Sequence, residues 1–128
     1  MYTKFAFKKL VRDKIPEQQI ANGDTPKYWK LKDVDYVKEL IRKLNEEVVE
    51  FGRENNLEEE IADVEEILDC LIRVIKSNRN KINMIREKKN AKTGSFLKRL
   101  YVDYVEVNSN SPWLQYFLKN PDKYPEIK

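Results

Sequence analysis

Two runs of apolar residues at helical spacing, separated by a short turn, dominate this chain and leave little choice of architecture. The first begins near Asp33 or Asp35 and reaches about Gly52, with Val37, Leu40, Ile41, Leu44, Val48 and Phe51 recurring at intervals of three and four. The second is expected to start at Asn56, whose spacing to Glu59 is that of a capping box. It carries Leu57, Val64, Ile67, Leu68, Leu71 and Ile75 to an end near Ser77-Asn78. The Asn55-Asn56 pair punctuates the chain between the two runs. Helices joined by so tight a turn run antiparallel, so the fold class expected is mainly α, a helical bundle.

The flanking segments are expected to add smaller elements. Residues 4–11 mix apolar and basic side chains and read as a short strand. Asp13 is placed to cap a short helix that tolerates Pro16 in its first turn and ends near Asn22-Gly23. A third, basic helix spans about Arg79 to Ala91, with Ile82 and Ile85 inward and Gly94 as its stop. Leu97 to Val107 is rich in β-branched and aromatic residues and reads as a second strand, able to form a small two-stranded ribbon with the N-terminal segment. Ser111-Pro112 is an N-cap and N1 pair for a last short helix, Trp113 to Lys119. The whole reads as a single domain over residues 1–128, with a C-terminal extension from about residue 108.

Composition narrows the chemistry. The chain has no histidine, which excludes His-ligated zinc sites, Ser-His-Asp triads and any imidazole base. Cys70 stands alone, so no intrachain disulfide forms, and a reducing cytoplasm is the expected location. No run of eighteen apolar residues occurs, the N-terminus lacks a secretory h-region, and no membrane span is expected. A net charge of only +3 is too balanced to argue by itself for nucleic-acid binding, which is not the expected role. The distribution is uneven, however: acids concentrate between Glu46 and Asp69, and the stretch from Arg79 to Arg99 is basic, with Glu87 as its single acid.

Four acids stand out. Glu47 and Glu50 form one i,i+3 pair near the end of the first long helix, and Glu60 and Asp63 form another near the start of the second. An antiparallel turn brings the two pairs together. Glu60 falls inside the apolar stripe of its helix, Asp63 at its edge, and Glu47 and Glu50 on the flank of the Leu40-Leu44-Phe51 face. Glu46, Glu58, Glu65 and Glu66 have the placement of ordinary solvated acids. Burial of an unpaired carboxylate is costly, and negative charge at a helix C-terminus is disfavoured by roughly 0.3–1 kcal/mol. A divalent cation with a preference for oxygen, Mg²⁺ or Mn²⁺, would offset both. Ion pairs to Lys43, Arg53 or Arg73 are the competing explanation.

These acids carry a family pattern. EEVVE (Glu46 to Glu50) followed by EIAD (Glu60 to Asp63) resembles the EExxE…ExxD signature of the MazG-like all-α nucleoside triphosphate pyrophosphohydrolases. KKLVRDKIPE, Lys8 to Glu17, resembles the N-terminal motif of one branch, the phosphoribosyl-ATP pyrophosphohydrolase-like proteins. A basic run, Ile85 to Phe96, is similar to a third family element, so that the ordered matches reach from residue 8 to about 107. Two departures are visible: the turn between Glu50 and Glu60 is short for the superfamily, and Gly94-Ser95-Phe96 stands where the branch commonly has Gly-Gly-Phe.

The resemblance implies an all-α bundle that is a homodimer or higher homo-oligomer. It also implies Mg²⁺-dependent cleavage of a nucleoside triphosphate or related nucleotide to the monophosphate and pyrophosphate. By motif position, Glu47, Glu50, Glu60 and Asp63 would be metal ligands, with Glu47 or Glu50 helping to deprotonate the attacking water and Glu46 an auxiliary acid. Arg12, Lys14, Lys89, Asn90 and Lys92 would contact the phosphates. Tyr28, Trp29, Tyr101 and Tyr104 are candidates to stack on a base, against the more ordinary expectation that they pack in a core or interface. Two alternatives differ in class: a catalytically silent nucleotide-binding or assembly protein of the same fold, and a basic nucleic-acid-binding module built on residues 79–99.

Overall fold

The computed structural model describes residues 1–53 and 56–128; Asn55 of the expected turn lies outside the described residues. Among these residues the chain is all-helical, with five α-helices and no strand. They are α1 (Ile15–Ala21), α2 (Asp33–Glu50), α3 (Leu57–Val74), α4 (Arg79–Thr93) and α5 (Leu114–Lys119). The chain divides into two compact units, Met1–Ala91 and Lys92–Lys128, and the segment from residue 108 lies within the second.

In the first unit α2 and α3 pack along each other through part of their expected stripes, of which Ile41, Val48, Leu57 and Ile75 are exposed. Leu40 of α2 and Ile67 and Ile72 of α3 are the buried hydrophobic residues. Val37, Leu44, Phe51, Val64, Leu68 and Leu71 are half-buried around them. Near the other end of the pair Tyr36 meets Cys70; burial first, and then the hydrogen bond with that thiol, pushes the Tyr36 phenol up to about 12. α3 starts after the expected N-cap residue: the Asn56 side chain accepts a hydrogen bond from the Glu59 backbone N–H at 3.2 Å. The start of α4 is held against α3 by Arg79, which donates to Asp69 and Glu65 at 2.7 Å each.

Three local expectations are corrected. The ribbon does not form: neither residues 4–11 nor residues 97–107 adopt strand structure. The backbone supplies the reason. Lys8 has φ +46° and Arg99 φ +58°, left-handed values that interrupt an extended run. The Arg99 N–H also closes a turn onto the Phe96 carbonyl at 3.1 Å. Lys14, not Asp13, occupies the N-cap position of α1, with no side-chain cap, while Pro16 sits in the first turn as expected. Helix α5 begins one residue later than the spacing suggests, at Leu114, and Ser111 Oγ accepts from the Trp113 N–H at 3.2 Å rather than capping as the N-cap residue itself.

Candidate metal centre

The antiparallel packing of α2 and α3 sets the last turn of one beside the first turns of the other. Glu47, Glu60 and Asp63 converge there, each offering a carboxylate oxygen, with these oxygens all within 4.8 Å of one another. Glu60 is the buried member, with 6% of its surface exposed, and it is the one charged residue among the buried positions described. Glu47 and Asp63 are half-buried. Glu50 is not in this group of three, although its charge acts on Glu60. It is the final residue of α2, on the same side of the helix as Glu47 but displaced from it by about 60° around the axis and about 4.5 Å along it.

The electrostatics are unresolved by protein partners. Glu47 Oε2 and Glu60 Oε2 are shut off from solvent and have no hydrogen-bond donor among the described residues. Two ionised carboxylates are both acceptors, so something positive must sit between them: a shared proton or a cation. In the protein alone the close approach favours the protonated form of Glu60. The carboxyl of Glu60 is pushed up to about 7, first by its hydrogen bond with Glu47, then by burial, then by the charges of Glu47, Glu50 and Asp63. The last turn of α2 carries no base to offset its acids.

The competing ion-pair explanation accounts for only part of this. Lys43 pairs with Glu46 at 3.6 Å, not with Glu47 or Glu50, and neither Arg53 nor Arg73 pairs with any of the four acids among the described residues. Glu46 also meets Lys9 at 3.7 Å, so its carboxylate is engaged on both oxygens outside the cluster. Asp63 does have a basic partner, and it is Arg12, whose Nη2 donates to Oδ1 at 2.6 Å. Spacing along the chain gives no hint of that pair, because it joins the N-terminal arm to α3. The arm's own pattern, apolar pairs Leu10-Val11 and Ile15-Pro16 flanking Arg12, was the available signal that this segment docks.

The remaining expected contacts are less focused. Lys14 is exposed at the start of α1, and Lys89 and Asn90 are exposed near the end of α4. Lys92 belongs to the second unit. Tyr28, Trp29, Tyr101 and Tyr104 are all exposed, so none of them is a core residue. A groove in the second unit is lined by Trp113, Tyr116, Phe117 and Tyr124, whose rings pack on one another with centroids 4.9–6.3 Å apart. That cluster is the unit's own apolar packing and offers nothing built to take a polyphosphate.

No protein-family model matches the chain, and neither the curated proteins nor the solved structures contain a match to it. Its chemistry is therefore read from its own residues. No helix among the described residues is long and apolar enough to cross a membrane.

Proposed function

We propose that this chain is a Mg²⁺-dependent nucleotide pyrophosphohydrolase of the MazG-like type, cleaving a nucleoside triphosphate or related nucleotide to the monophosphate and pyrophosphate. The observation that carries the reading is the buried, donorless oxygen of Glu60, aimed at a point shared with Glu47 and Asp63. A surface ion pair does not require a carboxylate in the apolar stripe of a helix, whereas an oxygen-only cation site does.

Glu47, Glu60 and Asp63 would hold the ion, Mg²⁺ with Mn²⁺ as a substitute, and the donor set of carboxylate oxygens suits both. When bound, that ion supplies charge neutralisation for the polyphosphate and polarises the phosphoryl group under attack. Glu50, close enough to act on Glu60 and free of an ion pair among the described residues, would accept the proton of the attacking water. Exposed Lys14, Lys89 and Asn90 remain the proposed phosphate contacts.

A second copy of the chain belongs to this proposal. Among the described residues only Leu40, Ile67 and Ile72 are buried hydrophobics, while Val48, Val49, Leu57 and Ile61, on the two site-bearing helices, are each more than half exposed. A homodimer or higher homo-oligomer would cover those faces. The cytoplasm remains the proposed location, given a lone half-buried cysteine with no disulfide partner.

The test is a panel of canonical and modified nucleoside triphosphates with Mg²⁺ or Mn²⁺, scored for monophosphate and pyrophosphate. Release of both products, dependent on the ion, is the expected result. Binding of nucleotide without turnover would favour a sensor, and salt-sensitive retention of DNA or RNA without turnover a nucleic-acid module.

A further inference from the structure

The three carboxylates are not equally fixed. Glu60 is locked by burial, but the side chain of Asp63 is 39% exposed and sits at the rim. A half-exposed carboxylate samples several rotamers in water, and freezing it on an ion costs side-chain entropy. Something must hold it if it is to be a ligand ready in advance.

We infer that Arg12 is a positioning residue for this centre: its Nη2 contact fixes the carboxylate of Asp63, so that the N-terminal arm completes a ligand set the two helices alone leave loose. The inference rests on the cation reading of the cluster. The contact is single-point, Nη2 to Oδ1 at 2.6 Å, so it engages one of the two carboxylate oxygens of Asp63.

The arm is itself anchored. Leu10, Val11, Ile15 and Pro16 are half-buried on both sides of Arg12, and the Arg12 carbonyl accepts the Ile15 N–H at 3.0 Å in the turn that leads into α1. Lys9 meets Glu46 of α2 at 3.7 Å. One short segment is thus tied to both helices of the site, to α2 through Lys9 and to α3 through Arg12.

A guanidinium beside a cation site also repels the cation, and the two effects oppose each other. The Arg12 side chain is 61% exposed, so solvent and salt screen its charge. Outer partners that orient a metal ligand are typically worth 10–100-fold in metal affinity. Orientation therefore wins over screened repulsion, and the sign of the effect is testable.

The experiment is a Mn²⁺ titration of the metal-free 128-residue chain without nucleotide, followed by electron paramagnetic resonance, on wild type, Glu60→Gln, Arg12→Ala and Arg12→Lys. Wild type is expected to bind and Glu60→Gln to lose binding. Arg12→Ala should bind about 10–100-fold more weakly with unchanged far-ultraviolet circular dichroism. Arg12→Lys should recover part of the loss, since an ammonium keeps one charged donor without the planar fork. Arg12→Ala and Arg12→Lys proteins that bind Mn²⁺ as tightly as wild type, or more tightly, would overturn the inference while leaving the centre intact. A wild type that fails to bind, or a Glu60→Gln protein that binds equally well, would instead remove the centre and the role of Arg12 with it.

Discussion

Glu47, in the last turn of α2, faces Glu60, in the first turns of α3, and an oxygen of each is sealed from solvent without a donor. About three turns further along the same helix pair, Tyr36 meets Cys70, so one antiparallel register accounts for both contacts. The carboxylate cluster is thus a product of how α2 and α3 are paired, and disturbing it should affect chemistry more than fold.

Glu60→Gln is the sharpest test of that separation. The amide keeps the shape but loses the negative charge and half the acceptor capacity. Pyrophosphate release should fall at least about a hundredfold, with helix content by circular dichroism unchanged. Wild-type turnover in this variant would sink the proposed function.

Stability should depend on pH through Glu60. Its carboxyl rises from 4.5 to about 7 in the folded protein, so the native state holds a proton that the unfolded chain releases. The stabilising contribution is therefore complete below about pH 4.5 and is lost as pH climbs through about 7. Thermal melts without divalent ions should show that decline in wild type, and a flatter profile over the same window in Glu60→Gln. Added Mg²⁺ should raise the melting temperature of wild type most on the alkaline side, where Glu60 is ionised. Equal Mg²⁺ effects on the two proteins would count against a site at Glu60.

Leu40→Ala should be severe, since Leu40 is only 2% exposed in a core with few other buried residues. The expected cost is about 2–5 kcal/mol in chemical denaturation. A smaller core tolerates such a cavity poorly, and loss of the fold altogether would agree with the same reasoning.

Asn56→Ala removes the oxygen that accepts the Glu59 N–H. About 1 kcal/mol of stability should go with it, measurable by urea unfolding. Because this cap sets where α3 begins, a loss of Mn²⁺ affinity alongside it would show how strongly the cluster depends on that first turn.

Ile61→Glu addresses the uncovered apolar faces. Ile61 is 52% exposed on α3, next in sequence to the buried Glu60. If a second copy covers this face, light scattering coupled to size exclusion should show wild type as an oligomer and the variant shifted toward monomer. An unchanged mass would place the contact elsewhere.

The sequence by itself determined the helices and their partnership. Periods of three and four, a capping box at Asn56 and Glu59, and a short turn are local signals, and the bounds of α2, α3 and α4 follow them closely, although Ile85, expected inward on α4, is exposed. That Glu60 lies within an apolar stripe was equally legible, because angular position on a helix follows from spacing alone. The tertiary structure decided which oxygens meet. It selects Glu47, Glu60 and Asp63, leaves Glu50 outside the group, gives Arg12 to Asp63 and buries Ile72 from off the expected stripe. It also denies residues 4–11 and 97–107 their ribbon, despite compositions suited to strands. Each of these outcomes depends on how one helix is rotated against another, or on where a distant segment docks, and contacts between residues far apart in the chain leave no periodic trace along it.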